Sequence, residues 1–152
     1  HIYNPYFPAA LKKLADSYKV QPAELELDLT QNSSEHRIED LIDLGARLHT
    51  EGFKLGIYRF GEGFSAMKFL SRVPVDYVKV RLGVLTSEAG PQRTAQIFNS
   101  FKYLASSLGL ELECDGVENA EQAEFLKQNG VQFASGPLWG EPMAPQEFIK
   151  NL

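Results

Sequence analysis

The sequence predicts an α/β fold built on parallel strands. Two observations carry this. Short β-type runs (ELELDL, KLGIY, DYVKV, LELEC and VQFAS) alternate with segments of helical periodicity, giving about five βα units in series. No low-complexity linker interrupts them. Each helix must carry the chain back before the next strand starts, so consecutive strands run in the same direction. Two closures fit the pattern, an open doubly wound sheet and a closed (β/α)8 barrel. Both place function at the carboxyl ends of the strands.

Taken in order, Pro8 to about Tyr18 has helical spacing, and Pro8 suits a first helical turn. Glu24–Leu29 alternates as a strand. Ser33 and Ser34 are placed to cap the helix EHRIEDLIDLGARLHTEG, whose Ile38, Leu41, Ile42, Leu44 and Leu48 lie on one side and which Gly52 ends. The strand KLGIY runs into the loop RFGEG and a short helix, FSAMKFLSRV, where Met67, Phe69 and Leu70 read as packing residues. DYVKV is the third strand. A long helix from Pro91 to about Leu108 is closed by Gly109, and LELEC follows. Asn119 and Gln122 have the spacing of a capping box for a helix ending at Gly130. VQFAS is the last strand, and a last helix begins near Pro145.

Composition bounds the function. The 152 residues are 43% hydrophobic and 23% charged, with net charge -5, which suits one soluble domain with one core. An acidic chain lacks the basic surface that general nucleic-acid binding needs, so no nucleic-acid partner is expected. Cys114 is alone, which removes a disulfide framework and any CxxC metal site and suits a reducing cytoplasm. No apolar run is long enough to span a bilayer, and HIYNPYFPAALKKL is not laid out as a signal peptide. The expected setting is therefore cytoplasmic, without membrane contact by this segment. The chain lacks an initiating Met and is expected to be part of something longer.

The polar residues at or near strand ends are Asp28, Tyr58, Arg59, Lys79, Arg81, Asp115 and Ser135. Lys79 and Arg81, two apart, point to the same side of their strand. A charge in a parallel strand is costly unless paired, so Lys79 reads as functional, whereas Arg81 is equally consistent with exposure. Asp28 is either a solvated alternating residue, a helix cap, or a site acid. Asp115, Gly116 and Glu118 form CDGVE after a strand, and Asp-Gly alone is a common turn. Gly61 and Gly63 resemble a phosphate loop only faintly. His1, His36 and His49 lack ligand spacing, and His36 and His49 read as solvated helix-surface residues. No serine occupies a nucleophile elbow. Trp139, in SGPLWGEP, either lines a ligand site or folds onto the core.

Taken together these segments resemble the EAL family, the cyclic di-GMP phosphodiesterase domains. LELDLTQ resembles the family's ExTE strand. GIYRFGEGFSAMKFLSRVPVDYVKV resembles DDFGxGxSSLxxLxxLPxDxxKID. LGLELECDGVENAEQAEFLKQNGVQFASGPLWGEPMAPQEF resembles LGxxVxAEGVExxEQxxxLxxxGxxxxQGxxxxxPxxxxxF. The order and separation of these segments make the resemblance specific. It implies a (β/α)8 TIM-barrel-like EAL fold, for which about 250 residues is typical. Residues 1–152 would supply about five consecutive βα units, a partial barrel lacking the family's N-terminal strands, including the one that carries Glu-Ala-Leu and a later one with a metal-holding Asn.

Active members hydrolyse cyclic di-GMP with Mg or Mn ions held by carboxylates. By the resemblance, Asp28 stands at a Glu ligand position, and Gln31 replaces the Glu that helps hold the loop after the DDFG strand. Tyr58 and Arg59 replace the two metal-binding Asp residues of DDFG. Lys79 matches the family Lys, and Arg81 replaces the Asp two residues on. Asp115 replaces a metal-binding Glu, Glu118 matches the second Glu of EGVE, and Ser135 replaces a Gln near the attacking water. A guanidinium where two divalent ions belong opposes metal binding: unit charges ~4 Å apart are worth about 4 kcal/mol at an effective dielectric of about 20, and a divalent ion doubles that. The expectation is a degenerate phosphodiesterase with no intact catalytic residue, no metal and no cofactor. Arg59 is expected to pair with Asp28 or Asp115 in place of metal charge. The implied role is a cyclic di-GMP receptor or regulatory module, with Arg59, Gly61, Gly63, Lys79, Arg81, Asp115 and Glu118 at the ligand. The alternative is a scaffold that binds another protein domain or itself; an active metal-dependent phosphodiesterase is the weakest reading.

Overall fold

The computed structural model describes residues 4–30, 38–62, 66–83 and 90–150. His1, Gln31, Ser33, Ser34, His36 and Gly63 lie outside the described residues. Among the described residues the five strands are β1 (Glu26–Thr30), β2 (Lys54–Tyr58), β3 (Tyr77–Arg81), β4 (Glu111–Asp115) and β5 (Phe133–Ala134). The helices are α1 (Phe7–Ser17), α2 (Ile38–Thr50), α3 (Ala66–Leu70), α4 (Pro91–Ser107), α5 (Ala120–Gln128) and α6 (Pro145–Lys150). The first strand starts two residues later than its alternation predicts, because Pro22–Glu24 form a 3-10 turn. Glu24 is spent there, accepting a hydrogen bond from the Gln21 backbone N at 2.8 Å.

All four strand pairings are parallel, and the spatial order β1-β2-β3-β4-β5 is also the chain order. A doubly wound sheet reverses its winding partway across; this sheet never does, so it has the order of an arc of a (β/α)8 barrel rather than of a nucleotide-binding open sheet.

Register sorts the side chains into two faces, because partners in a row point the same way. One row joins Leu29, Ile57, Val78 and Leu112, and the next joins Val80, Cys114 and Ala134. All but the exposed Ala134 pack with Leu41, Phe69, Phe98 and Leu126 from the helices into one core. A smaller cluster, Leu44, Leu48, Phe53 and Leu55, fixes α2 against β2 and takes Phe7 and Leu11 of α1 at its edge. Each fully buried side chain of this size contributes about 1.5–3 kcal/mol. The predicted face of α2 is the one that is buried. Phe69 and Leu70 of α3 pack as expected, but Met67 is 60% exposed.

Asn119 caps α5, its Oδ1 accepting from Gln122 N at 3.0 Å, while Gln122 Oε1 accepts from Glu118 N at 2.7 Å. The reciprocal bond is thus displaced by one residue from an ordinary capping box. His49 is half-exposed, and its Nε2 lies 3.1 Å from Asp76 Oδ1 rather than facing water alone. Among the described residues, no helix is long and apolar enough to cross a membrane.

Candidate functional site

The opposite face of the same strands carries Asp28 on β1, Gly56 and Tyr58 on β2, Tyr77, Lys79 and Arg81 on β3, and Glu111, Glu113 and Asp115 on β4. One residue of offset separates this polar set from the apolar core. Gly56 is central to it. Asp28, Gly56, Tyr77 and Glu111 share one row, and the Tyr77 ring lies across the space that a Gly56 side chain would fill. A Cβ at Gly56 would meet Tyr77 Cε2 at 1.9 Å. Because that space is empty, the Tyr77 hydroxyl reaches two strands over and donates to Asp28 Oδ1 at 2.9 Å.

Lys79 completes this first group. Its Nζ bonds Asp28 Oδ2 and Glu113 Oε2, each at 3.1 Å, and sits 5.3 Å from the centre of the Tyr77 ring. The lysine side chain is only 17% exposed. Burial pulls its pKa down, but hydrogen bonds and charge from Asp28 and Glu113 outweigh this and hold it above the ordinary lysine value. Burial raises the Glu113 pKa; Lys79 opposes the rise and Glu26 adds to it. Glu113 Oε1 is buried without a hydrogen-bond partner. One ligand atom from each of Glu26, Glu111 and Glu113 lies within 4.8 Å of the others, so these three are an acidic group able to face a cation. Burial, then Asp28, pushes the Tyr77 hydroxyl well above the ordinary tyrosine range, so it stays a donor.

The second group lies at the strand ends. Tyr58 OH donates to Asp115 Oδ2 at 2.8 Å and accepts from Arg81 Nη2 at 3.2 Å. Ser135 Oγ donates to the other oxygen, Asp115 Oδ1, at 3.2 Å. The bond to Tyr58 is the largest influence holding Arg81 above its ordinary pKa. Burial, reinforced by Glu113 and Asp115, pushes the Cys114 thiol up to about 12, so it is no nucleophile.

Arg59 departs from expectation. It makes no ion pair with Asp28 or Asp115; its guanidinium carbon lies 5.5 Å from the centre of the Tyr58 ring, and the residue is exposed. The cause is local. Arg59 has φ +56°, a left-handed conformation that leaves the regular strand path. Lys79 takes the partner expected for it at Asp28, and Tyr58 with Arg81 takes Asp115.

The other predicted residues divide. Asp28 with Lys79, and Arg81 with Asp115 and Ser135, are brought together; Lys79 and Arg81 share a face as their spacing requires. Gly61, at φ +94°, packs its turn against Phe101. Glu118 is exposed, with its backbone tied to Gln122. Tyr77, Glu113 and Glu26 were missed. Parity could have found them: Tyr77 is two before Lys79, and Glu111, Glu113 and Asp115 alternate along one strand.

At the carboxyl end of β4 and β5 a cleft of about 880 Å³ is lined by Asp115, Ser135, Trp139, Glu141, Met143 and Phe148, among others. Trp139 is 58% exposed and lines it rather than folding onto the core.

The donor set at the positions a resemblance to metal-dependent enzymes would assign to ions fits them poorly. Each oxygen of Asp28 and of Asp115 already accepts a bond from a protein donor: the phenols of Tyr77 and Tyr58, the Ser135 hydroxyl and Lys79, whose ammonium also holds Glu113.

Residues 1–142 match the family described as EAL domain. The chain is 28% identical over 152 residues to a probable cyclic di-GMP phosphodiesterase of Escherichia coli, PdeN, covering all of this chain and 29% of that protein. It is 32% identical over 129 residues to the cyclic di-GMP phosphodiesterase NbdA of Pseudomonas aeruginosa, covering 83% of this chain and 16% of that one. The chain thus spans less than a third of the length of these curated relatives. Among solved structures, the EAL domain of Mycobacterium smegmatis DcpA superposes with TM-score 0.84 at 24% identity, over 99% of this chain and 67% of that one. The Pseudomonas aeruginosa FimX EAL domain bound to c-di-GMP superposes with TM-score 0.76 at 16% identity, over 89% and 55%. These structural likenesses establish the fold.

Proposed function

Since this chain belongs to the EAL domain family, whose members here are related to cyclic di-GMP phosphodiesterases, we propose that it is a non-hydrolytic receptor for cyclic di-GMP. One observation carries the reading. All four carboxylate oxygens of Asp28 and Asp115 are held by protein donors, and the cations that balance them are Lys79 and, through Tyr58, Arg81. Fixed side chains thereby do the neutralising that divalent ions do in an active site. At these two acids no oxygen is then open to an ion that would lower the pKa of a water, the step on which metal-assisted phosphodiester hydrolysis depends.

Lys79 is spent on two acids and largely buried, so it is a structural cation of the receptor. Phosphate recognition falls to Arg59, exposed at the mouth, and Arg81, half-buried beside it. A guanidinium offers paired donors to phosphate oxygens without metal. Gly61, at φ +94° in the turn that follows Arg59, and Glu118 belong to the proposed set around the ligand.

Calorimetry with cyclic di-GMP, with and without Mg²⁺, combined with product analysis in Mg²⁺ or Mn²⁺, tests this. Binding independent of metal, with no linear dinucleotide formed, is expected. Metal-dependent hydrolysis, or no heat at high micromolar ligand, overturns it.

A second reading rests on a different observation. Phe133 on the outermost strand and Phe148 and Ile149 on α6 are large, apolar and exposed. Such a surface suits a protein partner or self-association. A solution mass equal to one chain, at concentrations where cyclic di-GMP binds, counts against it.

A further inference from the structure

The half of the polar face nearer the strand starts carries an excess of acid. Glu26 opens β1 and Glu111 opens β4, and Asp28 and Glu113 share their face. Lys79 is the cation among them, and it is already divided between Asp28 and Glu113. Lys54 stands beside Glu26 in the register, but among the described residues no ion pair joins it to these acids, and none reaches Glu26 or Glu111. On a flat sheet β1 and β4, three strand steps apart, would be separated by about 14 Å. The arc of this sheet instead brings one oxygen each of Glu26, Glu111 and Glu113 within 4.8 Å of the others. Carboxylates that converge without a counter-charge repel one another.

A second observation points to a ligand. The Glu113 side chain is only 4% exposed. Its Oε2 holds Lys79, and its Oε1 is buried with no hydrogen-bond partner. A buried acid oxygen left unpaired is costly, and a cation among the three acids would supply its partner. The donors are all carboxylate oxygens. Cys114 belongs to the apolar core, and His49 lies on α2 beside Asp76. Such a set suits a hard cation rather than zinc or copper. Calcium binds oxygen at about 2.3–2.6 Å, so oxygens around one ion stand up to about 5 Å apart, whereas magnesium at about 2.0–2.1 Å wants a tighter ring. Glu26 and Glu111 are exposed, which gives the ion an entrance and leaves room for water to complete its shell.

We propose that Glu26, Glu111 and Glu113 form a site for a hard divalent cation of calcium size on the inner face of the sheet. Glu111 precedes Asp115 by four residues, about 13 Å along the strand, so the ion neutralises the face between the strands and lies far from the strand ends. The proposal goes beyond the receptor reading and does not rest on it.

The test uses the chain freed of metal, without nucleotide, at pH 7. Calcium is titrated by calorimetry and its effect on Tm is read, with NaCl of equal ionic strength as the control and magnesium for comparison. Saturable binding with a Kd of about 0.1–1 mM is expected, the range of weak all-oxygen sites, with calcium tighter than magnesium. At ten times the Kd, Tm should rise by about 3–6 °C. Glu26 and Glu111 are exposed, so Glu26→Gln and Glu111→Gln should fold, and each should weaken calcium about tenfold or more, one charge-assisted contact. Glu121→Gln, an exposed acid on α5, should leave calcium binding unchanged. Glu113→Gln should lose the calcium response while melting no lower than the parent chain in EDTA. A Tm rise that NaCl reproduces is charge screening and overturns the site. Calcium binding that survives Glu26→Gln combined with Glu111→Gln places the ion elsewhere and overturns it. Tighter binding of magnesium overturns the size assignment, and no saturable heat up to about 20 mM calcium, beyond the weakest such sites, overturns the whole proposal. None of these outcomes bears on cyclic di-GMP binding, which is measured separately.

Discussion

Ile57 and Tyr58 are neighbours on β2, yet they belong to regions held together by different physics. Ile57 is fully buried among Leu29, Val78 and the helices. Tyr58 faces the other way, between Arg81 and Asp115. On the apolar face each side chain contributes in proportion to the area it removes from water, and one aliphatic residue can substitute for another at modest cost. On the polar face contributions come from matched partners, and removing one leaves another buried and unpaired. Mutations on the two faces should therefore differ in kind as well as in size.

The largest expected effect is on the polar face. Lys79→Met keeps the volume but leaves Asp28 and Glu113 without their shared cation. A loss of about 3–5 kcal/mol in denaturant unfolding at pH 7 is expected, the usual cost of breaking one side of a buried pair. The loss should shrink at acid pH, where the two acids gain protons. A loss below about 1 kcal/mol would mean that solvent already screens the pair. Tyr77→Phe should follow at about 1–3 kcal/mol, since it strips Asp28 Oδ1 of its donor in the half-buried row. On the apolar face Ile57→Val should cost only about 0.5–1.5 kcal/mol. If Ile57→Val proves worse than Tyr77→Phe, the contrast between the faces is wrong.

The same contrast explains what the sequence disclosed. Alternation in KLGIY and LELEC is a one-dimensional pattern, and it located the apolar face, the parallel strands and the shared side of Lys79 and Arg81. Partner choice on the polar face is not one-dimensional. Asp28 bonds Tyr77 and Lys79 because Gly56, between them in the register, has no side chain. Tyr58 and Asp115 are 57 residues apart. Arg59 looked placed to replace a metal's charge, but its left-handed φ turns it out of the row, a feature of turn geometry rather than of residue type. The acids that matter with Lys79 include Glu113, whose neighbours in sequence, Leu112 and Cys114, gave no sign of a buried charge.

Acid–base behaviour sharpens the comparison within the polar face. The Glu113 pKa lies above the ordinary glutamate value, so the folded state holds that proton more tightly than the unfolded chain. Its stabilising contribution is full below the ordinary glutamate pKa and is lost as pH rises through the folded one. Ionised Glu113 is then a net cost at neutral pH compared with a neutral isostere. Glu113→Gln should be at least as stable as the parent chain at pH 7, with the difference gone near about pH 4. The raised Lys79 pKa has the same sign in a higher window: its contribution is full below the ordinary lysine pKa of 10.5, so it persists through neutrality and is lost as pH rises above that value. A Glu113→Gln chain that melts lower than the parent at pH 7 and equally at pH 4 would show that the orphaned oxygen finds a partner in solution.

The smallest stability effect belongs to Arg59, and it divides folding from binding. The side chain is exposed and contacts the Tyr58 ring, with no carboxylate of the described residues paired to it. An exposed cation–π contact is worth about 0.5–1 kcal/mol, so Arg59→Ala should shift unfolding by no more than that. Its effect on ligand should be larger. If Arg59 meets a phosphate through a charge-assisted pair, its removal weakens cyclic di-GMP by about tenfold or more, the equivalent of about 1.5–3 kcal/mol for a hydrogen bond to a charged group. The pair of measurements is decisive in combination. Unchanged stability with weakened binding places Arg59 at the ligand. Unchanged stability with unchanged binding assigns the phosphate to Arg81 alone. A large loss of stability would return Arg59 to the polar face, among the residues whose partners hold the sheet together.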